Sequence, residues 1–171
     1  MTRKAKVAWG LVVAAVLAVE LPYVLSHRED QELDAGTRSR LGGTYARLAV
    51  GMTHYVLDAP ATKKSETESP VVVLVHGGTI PHWNWEVQVP ALTAAGYTVL
   101  RYDHLGRGYS DRPAGPYDRR LYRKQLEQLL AHLKIRQPVD LVGISFGAAT
   151  AASFTAANPR KDRKLVLLAP V

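Results

Sequence analysis

Gly143, Ser145 and Gly147 set a serine between two glycines in the stretch LVGISFGAAT, directly after an apolar, strand-like run and before an alanine-rich one. A serine hydroxyl is a weak nucleophile until a base removes its proton, and a serine framed in this way suits acyl transfer through a covalent intermediate. Such chemistry needs the hydroxyl lifted clear on a sharp strand-to-helix turn, with small neighbours that let other elements approach. Taken alone, the pattern also fits a serine that merely caps a helix. Acyl transfer further needs two amide donors about 3 Å from the oxygen that turns negative. The stretch HGGT, His76 to Thr79, ends another apolar run, VVVLV, and a tight turn there can offer one amide. We read Gly78 as that donor and Phe146, immediately after the serine, as the other. His76 precedes the turn and reads as a brace for the loop rather than as a base. In a third stretch, YDHLGRGYSDRP from Tyr102 to Pro113, Asp103 and Ser110 suit turn hydrogen bonds and Gly106 and Gly108 permit positive φ. His104 and Asp111 read as turn braces as well.

These motifs have to be positioned by a sheet. TYARLAV and MTHYVLD, with Gly51 between them, read as an antiparallel opening hairpin. VVVLV, YTVLRYD, PVDLVG and KLVLLAP read as central strands of a parallel sheet, because their apolar runs suit burial on both faces. Helices are expected around Trp85, Val89 and Leu92 up to Gly96, and again where Tyr122, Leu126, Leu129, Leu130 and Leu133 share one face. The alanine-rich stretch after Ser145 makes a third, ending before Pro159. Strands alternating with helices imply right-handed crossovers and a three-layer α/β/α sandwich with a mostly parallel sheet. Chemistry in such a sheet belongs at the carboxyl ends of its strands, where all three motifs fall.

Composition excludes several alternatives. The chain is 47% hydrophobic and 22% charged, within the ordinary globular range. Its net charge of +7 comes largely from Arg112 to Arg136, where charges alternate with leucines at helical spacing, and from Arg160 to Lys164. That pattern is a solvated helix face, and no nucleic-acid-binding signature accompanies it. The absence of cysteine excludes disulfides, a thiolate metal site and a cysteine nucleophile. Arg3, Lys4 and Lys6 precede the apolar run Val7 to Val19, which has the character of a signal-peptide core. LPYVL extends it beyond Glu20, so residues 7–25 could also be an uncleaved anchor. We therefore expect a signal peptide or membrane anchor over 1–26, a polar linker over 27–42, an α/β domain over 43–171, and an exported or membrane-anchored protein.

The stretches VVVLVHGGTIPHWNW, YTVLRYDHLGRGYSDRP and VDLVGISFGAAT, in this order, resemble the amino-terminal half of the α/β-hydrolase family, in the esterase, lipase and carbon–carbon hydrolase branch that uses a serine. The resemblance runs from about Thr44 to Val171. It implies Ser145 as nucleophile, Gly78 and Phe146 as oxyanion donors, a small-molecule ester or lipid substrate, and no cofactor; no metal is expected. Ala148 departs from a further glycine common in relatives, and its methyl should tighten helix packing.

A larger departure concerns the base. In that family the acid and the histidine follow the serine in the chain, whereas all six histidines here precede Ser145 and Asp162 is the one acid after it. Asp162 falls between a helix and the following strand, which puts it at the far edge of the sheet. The expectation is an incomplete α/β-hydrolase fold ending at about the sixth strand, a fragment with little activity alone and an exposed, poorly soluble edge. The alternatives on the same scaffold are an inactive binding module, an acyltransferase and a carbon–carbon bond hydrolase. Trp83 and Trp85, beside the HGGT loop, read as packing residues before substrate contacts.

Overall fold

The computed structural model describes residues 3–26, 32–60 and 69–170. The chain divides into two compact units, Met1–Thr37 and Arg38–Val171. The first contains α1 (Arg3–Ser26), whose described side chains are largely exposed, Trp9, Val16 and Leu17 among them. Among the described residues no helix is long and apolar enough to cross a membrane, so the anchor reading of residues 7–25 gains no support. Within the segment read as a linker, residues Ala35–Leu41 form the short helix α2. Asp34 explains this start, because its carboxylate accepts the Thr37 amide at 2.7 Å as an amino-terminal cap.

The second unit carries a six-stranded sheet. Its strands are β1 (Thr44–Leu48), β2 (Gly51–Asp58), β3 (Val71–Val75), β4 (Thr98–Tyr102), β5 (Val139–Ile144) and β6 (Asp162–Leu168), in the spatial order β1-β2-β4-β3-β5-β6. The first two strands form the expected hairpin and β2 pairs antiparallel with β4, while β4, β3, β5 and β6 run parallel. All five residues of β3 are buried. Alternation sends Val71, Val73 and Val75 to one face, where they meet Leu126, Leu129 and Phe154. Val72 and Leu74 go to the other, against Trp85. Each such side chain contributes about 1.5–3 kcal/mol on burial, so β3 anchors both faces and cannot shift without loss on each.

Two helices cover the first face. The longer, α4 (Arg119–His132), begins at Asp118, whose carboxylate accepts the Leu121 amide at 2.9 Å. It buries Tyr122, Leu126, Leu129 and Leu130 as its periodicity predicts, and ends where Lys134 takes φ 57° and the Ile135 amide returns to the Leu130 carbonyl at 2.9 Å. Its partner α5 (Phe146–Ala157) uses its small residues to sit close to the sheet, with Ala148 and Ala151 fully buried. On the other face the single predicted helix is instead a 3-10 turn, His82–Trp85, followed by α3 (Val89–Ala94). Pro90 is the reason. A proline weakens the interior of a helix but fits its first turn, and Pro90 stands there in α3, which begins at Val89.

At the sheet edge β6 pairs with β5, and Val166, Leu167 and Leu168 are exposed by 39–45%.

Candidate active site

The chain passes from β5 to α5 through one residue. Ser145 makes that turn with φ 53° and ψ −122°, a region which L residues avoid at a cost of about 1–3 kcal/mol. Its amide donates to the Leu168 carbonyl at 2.9 Å and its carbonyl accepts from the Ala148 amide at 2.9 Å, so backbone bonds hold the bend. The glycine spacing is enforced by space. A Cβ at Gly143 would lie 2.5 Å from the Gly147 carbonyl oxygen, and one at Gly147 would overlap the carbonyl oxygens of Val75 and His76. Ser145 occupies the cap position of α5 yet makes no side-chain capping bond, which answers the alternative of a simple helix cap. Its φ and ψ mirror an ordinary extended conformation, which glycine alone adopts without strain. Ser145→Gly should therefore stabilise the fold by about 1 kcal/mol, the relieved strain less the greater freedom of glycine in the unfolded chain. A urea titration in which the variant is weaker than the wild type would contradict the strain.

The HGGT loop lies against this bend. A Cβ at Gly77 would sit 3.6 Å from that of Ser145, and one at Gly78 would sit 3.9 Å from that of Phe146. Among the described residues neither the Gly78 nor the Phe146 amide donates to another loop or turn carbonyl. His76 holds the loop from below: its Nδ1 lies 2.5 Å from the Gly77 carbonyl, and its Nε2 accepts the His104 amide at 2.9 Å. These partners assign the proton to Nδ1. Burial lowers the His76 pKa to about 4, so the ring is neutral and both its nitrogens are engaged. This is the bracing geometry read from the sequence. His104 is also buried, its pKa pushed well below the usual value, first by desolvation and then by His76. Its Nε2 lies 3.2 Å from the His76 carbonyl, and its ring meets Phe146 edge-on at 5.3 Å.

Asp103, fully buried at the end of β4, is the hub behind the loop. One oxygen accepts from the His82 amide and His82 Nδ1, both at 2.9 Å; the other accepts from His54 Nδ1 and the Tyr109 amide, both at 3.0 Å. Burial alone would raise its pKa, but the bonds from His54, His82 and the two amides outweigh it and hold the carboxyl well below its usual range. Ser110 Oγ accepts the His54 amide and donates to the Asp103 carbonyl, and Asp111 accepts the Met52 amide and pairs with Arg38. Sequence reasoning found Asp103, Ser110 and Asp111 as turn residues but missed His54 and His82, which come from other strands and loops. Ligand atoms of His54, His82 and Asp103 lie within 4.8 Å of one another and could hold a metal ion. Four donors already satisfy the carboxylate, which accounts for the cluster without one. Trp85 is buried in the core, whereas Trp83 is 43% exposed and packs on His82 at 5.3 Å.

Asp162 pairs with Val139 at the start of β5, the opposite end of the strand from Ser145. It is thus remote from the bend, as its place in the sequence implied.

What the arrangement offers is a strained serine at a strand-helix bend, flanked by a glycine loop at the carboxyl end of a parallel sheet. Comparison with known proteins bears on the fold and the family. A family model described as alpha/beta hydrolase fold matches residues 70–171. A putative non-heme chloroperoxidase of Synechocystis is 36% identical over 101 residues, covering 58% of this chain and 36% of that protein. A 2-hydroxymuconate semialdehyde hydrolase of a Pseudomonas species is 37% identical over 101 residues, covering 57% and 35%. Among solved structures, the enol-lactonase of Burkholderia xenovorans superposes with a TM-score of 0.63 at 28% identity, covering 70% of this chain and 44% of that one. The chain thus spans about a third of the length of the curated relatives it matches. On its fold, on the motifs that fold brings together and on this match, the chain belongs to the α/β-hydrolase family.

Proposed function

We propose that the chain forms the nucleophile half of a serine hydrolase acting on carboxylic esters or lipids through an acyl-enzyme. The observation that carries this is the backbone of Ser145, a non-glycine residue held at φ 53° with its hydroxyl free of the helix it opens. Strain of this kind persists where surrounding structure enforces it, and functional sites are where it collects. In this reading Ser145 attacks the acyl carbon, its proton passes to a base, and the alkoxide leaving group departs with a proton. The amides of Gly78 and Phe146 receive the developing oxyanion. His76 and His104 do not serve as the base, because both are buried, neutral and bonded to main chain. Export or membrane attachment through residues 7–25 remains a proposal resting on the basic-flanked apolar run.

A second reading, hydrolysis of a carbon–carbon bond, is favoured by the relatives, among which are a 2-hydroxy-6-oxo-2,4-heptadienoate hydrolase and a meta-cleavage product hydrolase. It uses the same serine. The test is labelling by a fluorophosphonate, with Ser145→Ala as the control. Labelling is expected to fall at least tenfold in the variant, since the phosphorylated oxygen is removed. Equal labelling of the two proteins would end the serine assignment. A panel of nitrophenyl esters set against a 2-hydroxy-6-oxo-dienoate then separates the two substrate classes.

A further inference from the structure

Gly77 and Gly78 lack side chains that could fix their peptide planes, yet an oxyanion donor is useful only when its direction is set before the charge appears. Two side chains set those planes. The His76 imidazole holds the Gly77 carbonyl, and because that peptide is trans, the Gly78 N–H on its other side points away from His76. The next peptide is held from a different strand. Arg107 stands between Gly106 (φ 81°) and Gly108 (φ 49°) in the loop after β4, a bend that presents its side chain toward the HGGT loop. Its Nε donates to the Gly78 carbonyl at 2.6 Å and its Nη1 to its own loop's Gly106 carbonyl at 2.9 Å. One planar guanidinium thus ties the two loops together.

We propose that Arg107 is a positioning residue for the oxyanion loop. It fixes the peptide after the Gly78 amide and places a permanent positive charge beside the donor, so the amide is aimed before the reaction begins. The proposal rests on the serine hydrolase reading for its catalytic consequence, and on geometry alone for the clamp. The fork is essential because both carbonyls are held at once; a lysine ammonium is a point charge that can hold one of them well. A charge-assisted bond to a carbonyl is also stronger than a neutral one, although exposure at this site makes it sensitive to salt.

The experiment compares the full chain with Arg107→Met and Arg107→Lys, each first checked for an unchanged thermal unfolding profile. The amide resonances of Gly78 and Thr79 report the clamp without any need for turnover. They are expected to shift and broaden in Arg107→Met and to lie between the two states in Arg107→Lys. Labelling by a fluorophosphonate reports the consequence: the maximal rate should fall about tenfold in Arg107→Met while the concentration for half-maximal rate stays within twofold, with partial recovery in Arg107→Lys. Unmoved resonances would overturn the clamp, and moved resonances with an unchanged labelling rate would overturn its positioning role. A wild type that carries no label at Ser145 would overturn the catalytic consequence of the clamp in this chain, leaving the clamp itself to stand or fall on the resonances.

Discussion

Gly147→Ala is expected to destabilise the protein by about 4 kcal/mol or more, enough to leave much of it unfolded at room temperature. The added methyl would enter space held by the Val75 and His76 carbonyl oxygens, which are backbone and not the far ends of flexible side chains. To make room, α5 would have to lift from β3. That strand is paired with β4 on one side and β5 on the other and is buried on both faces, so it cannot recede. The consequence reaches the site directly, because the same carbonyl run leads into the HGGT loop and α5 begins at the serine bend. Gly115 offers the contrast: its φ is 124°, but a Cβ there meets nothing within 4 Å. Gly115→Ala should therefore cost backbone strain alone, about 1 kcal/mol. Urea denaturation of the two variants decides it. Equal losses would show that strain, and not the close approach of helix to strand, governs both positions.

The same contrast explains what could be read from the sequence. Close approach leaves a mark there, since Gly143, Gly147 and the alanines of α5 are small for a spatial reason and the apolar runs flanking them are strands for a packing reason. Those features made the bend, the sheet and the place of Ser145 legible. The helix around Trp85 was legible only in part, because its apolar spacing spoke for one continuous helix while Pro90 forced a break that periodicity does not register. The short helix at Ala35–Leu41 was hidden in a polar segment, where its signal was the Asp34 cap alone. Least legible were the side chains that support the site from elsewhere in the chain. His54 lies 49 residues before Asp103 and Arg107 lies 29 residues after Gly78. Such pairings depend on strand order, in which β4 sits between β2 and β3, and no local pattern encodes that order.

Asp103→Asn is the second large effect, expected at about 3 kcal/mol of lost stability at pH 7 although the two side chains have the same shape. Each carboxylate oxygen accepts one imidazole Nδ1 and one backbone amide: His82 with its own N–H at one oxygen, His54 with the Tyr109 N–H at the other. The substituted amide can present one oxygen and one NH2. An imidazole facing the NH2 can move its proton to Nε2 and accept, but a backbone N–H has no such alternative. Whichever way the asparagine turns, either the Tyr109 or the His82 amide is left without its acceptor beside a side chain that is itself fully buried. The pH dependence follows from the lowered pKa of Asp103. A carboxyl held below its unfolded value stabilises the fold above about pH 4, and this contribution is lost progressively as pH falls further, because the unfolded chain takes up a proton there that the native carboxylate accepts only in stronger acid. The gap between wild type and variant should accordingly be full at neutral pH and narrow in acid. Thermal unfolding followed from pH 7 to pH 3 would register it; a variant as stable as the wild type at pH 7, or a gap that widens with acid, would show that Asp103 is not the ionised hub behind the loop.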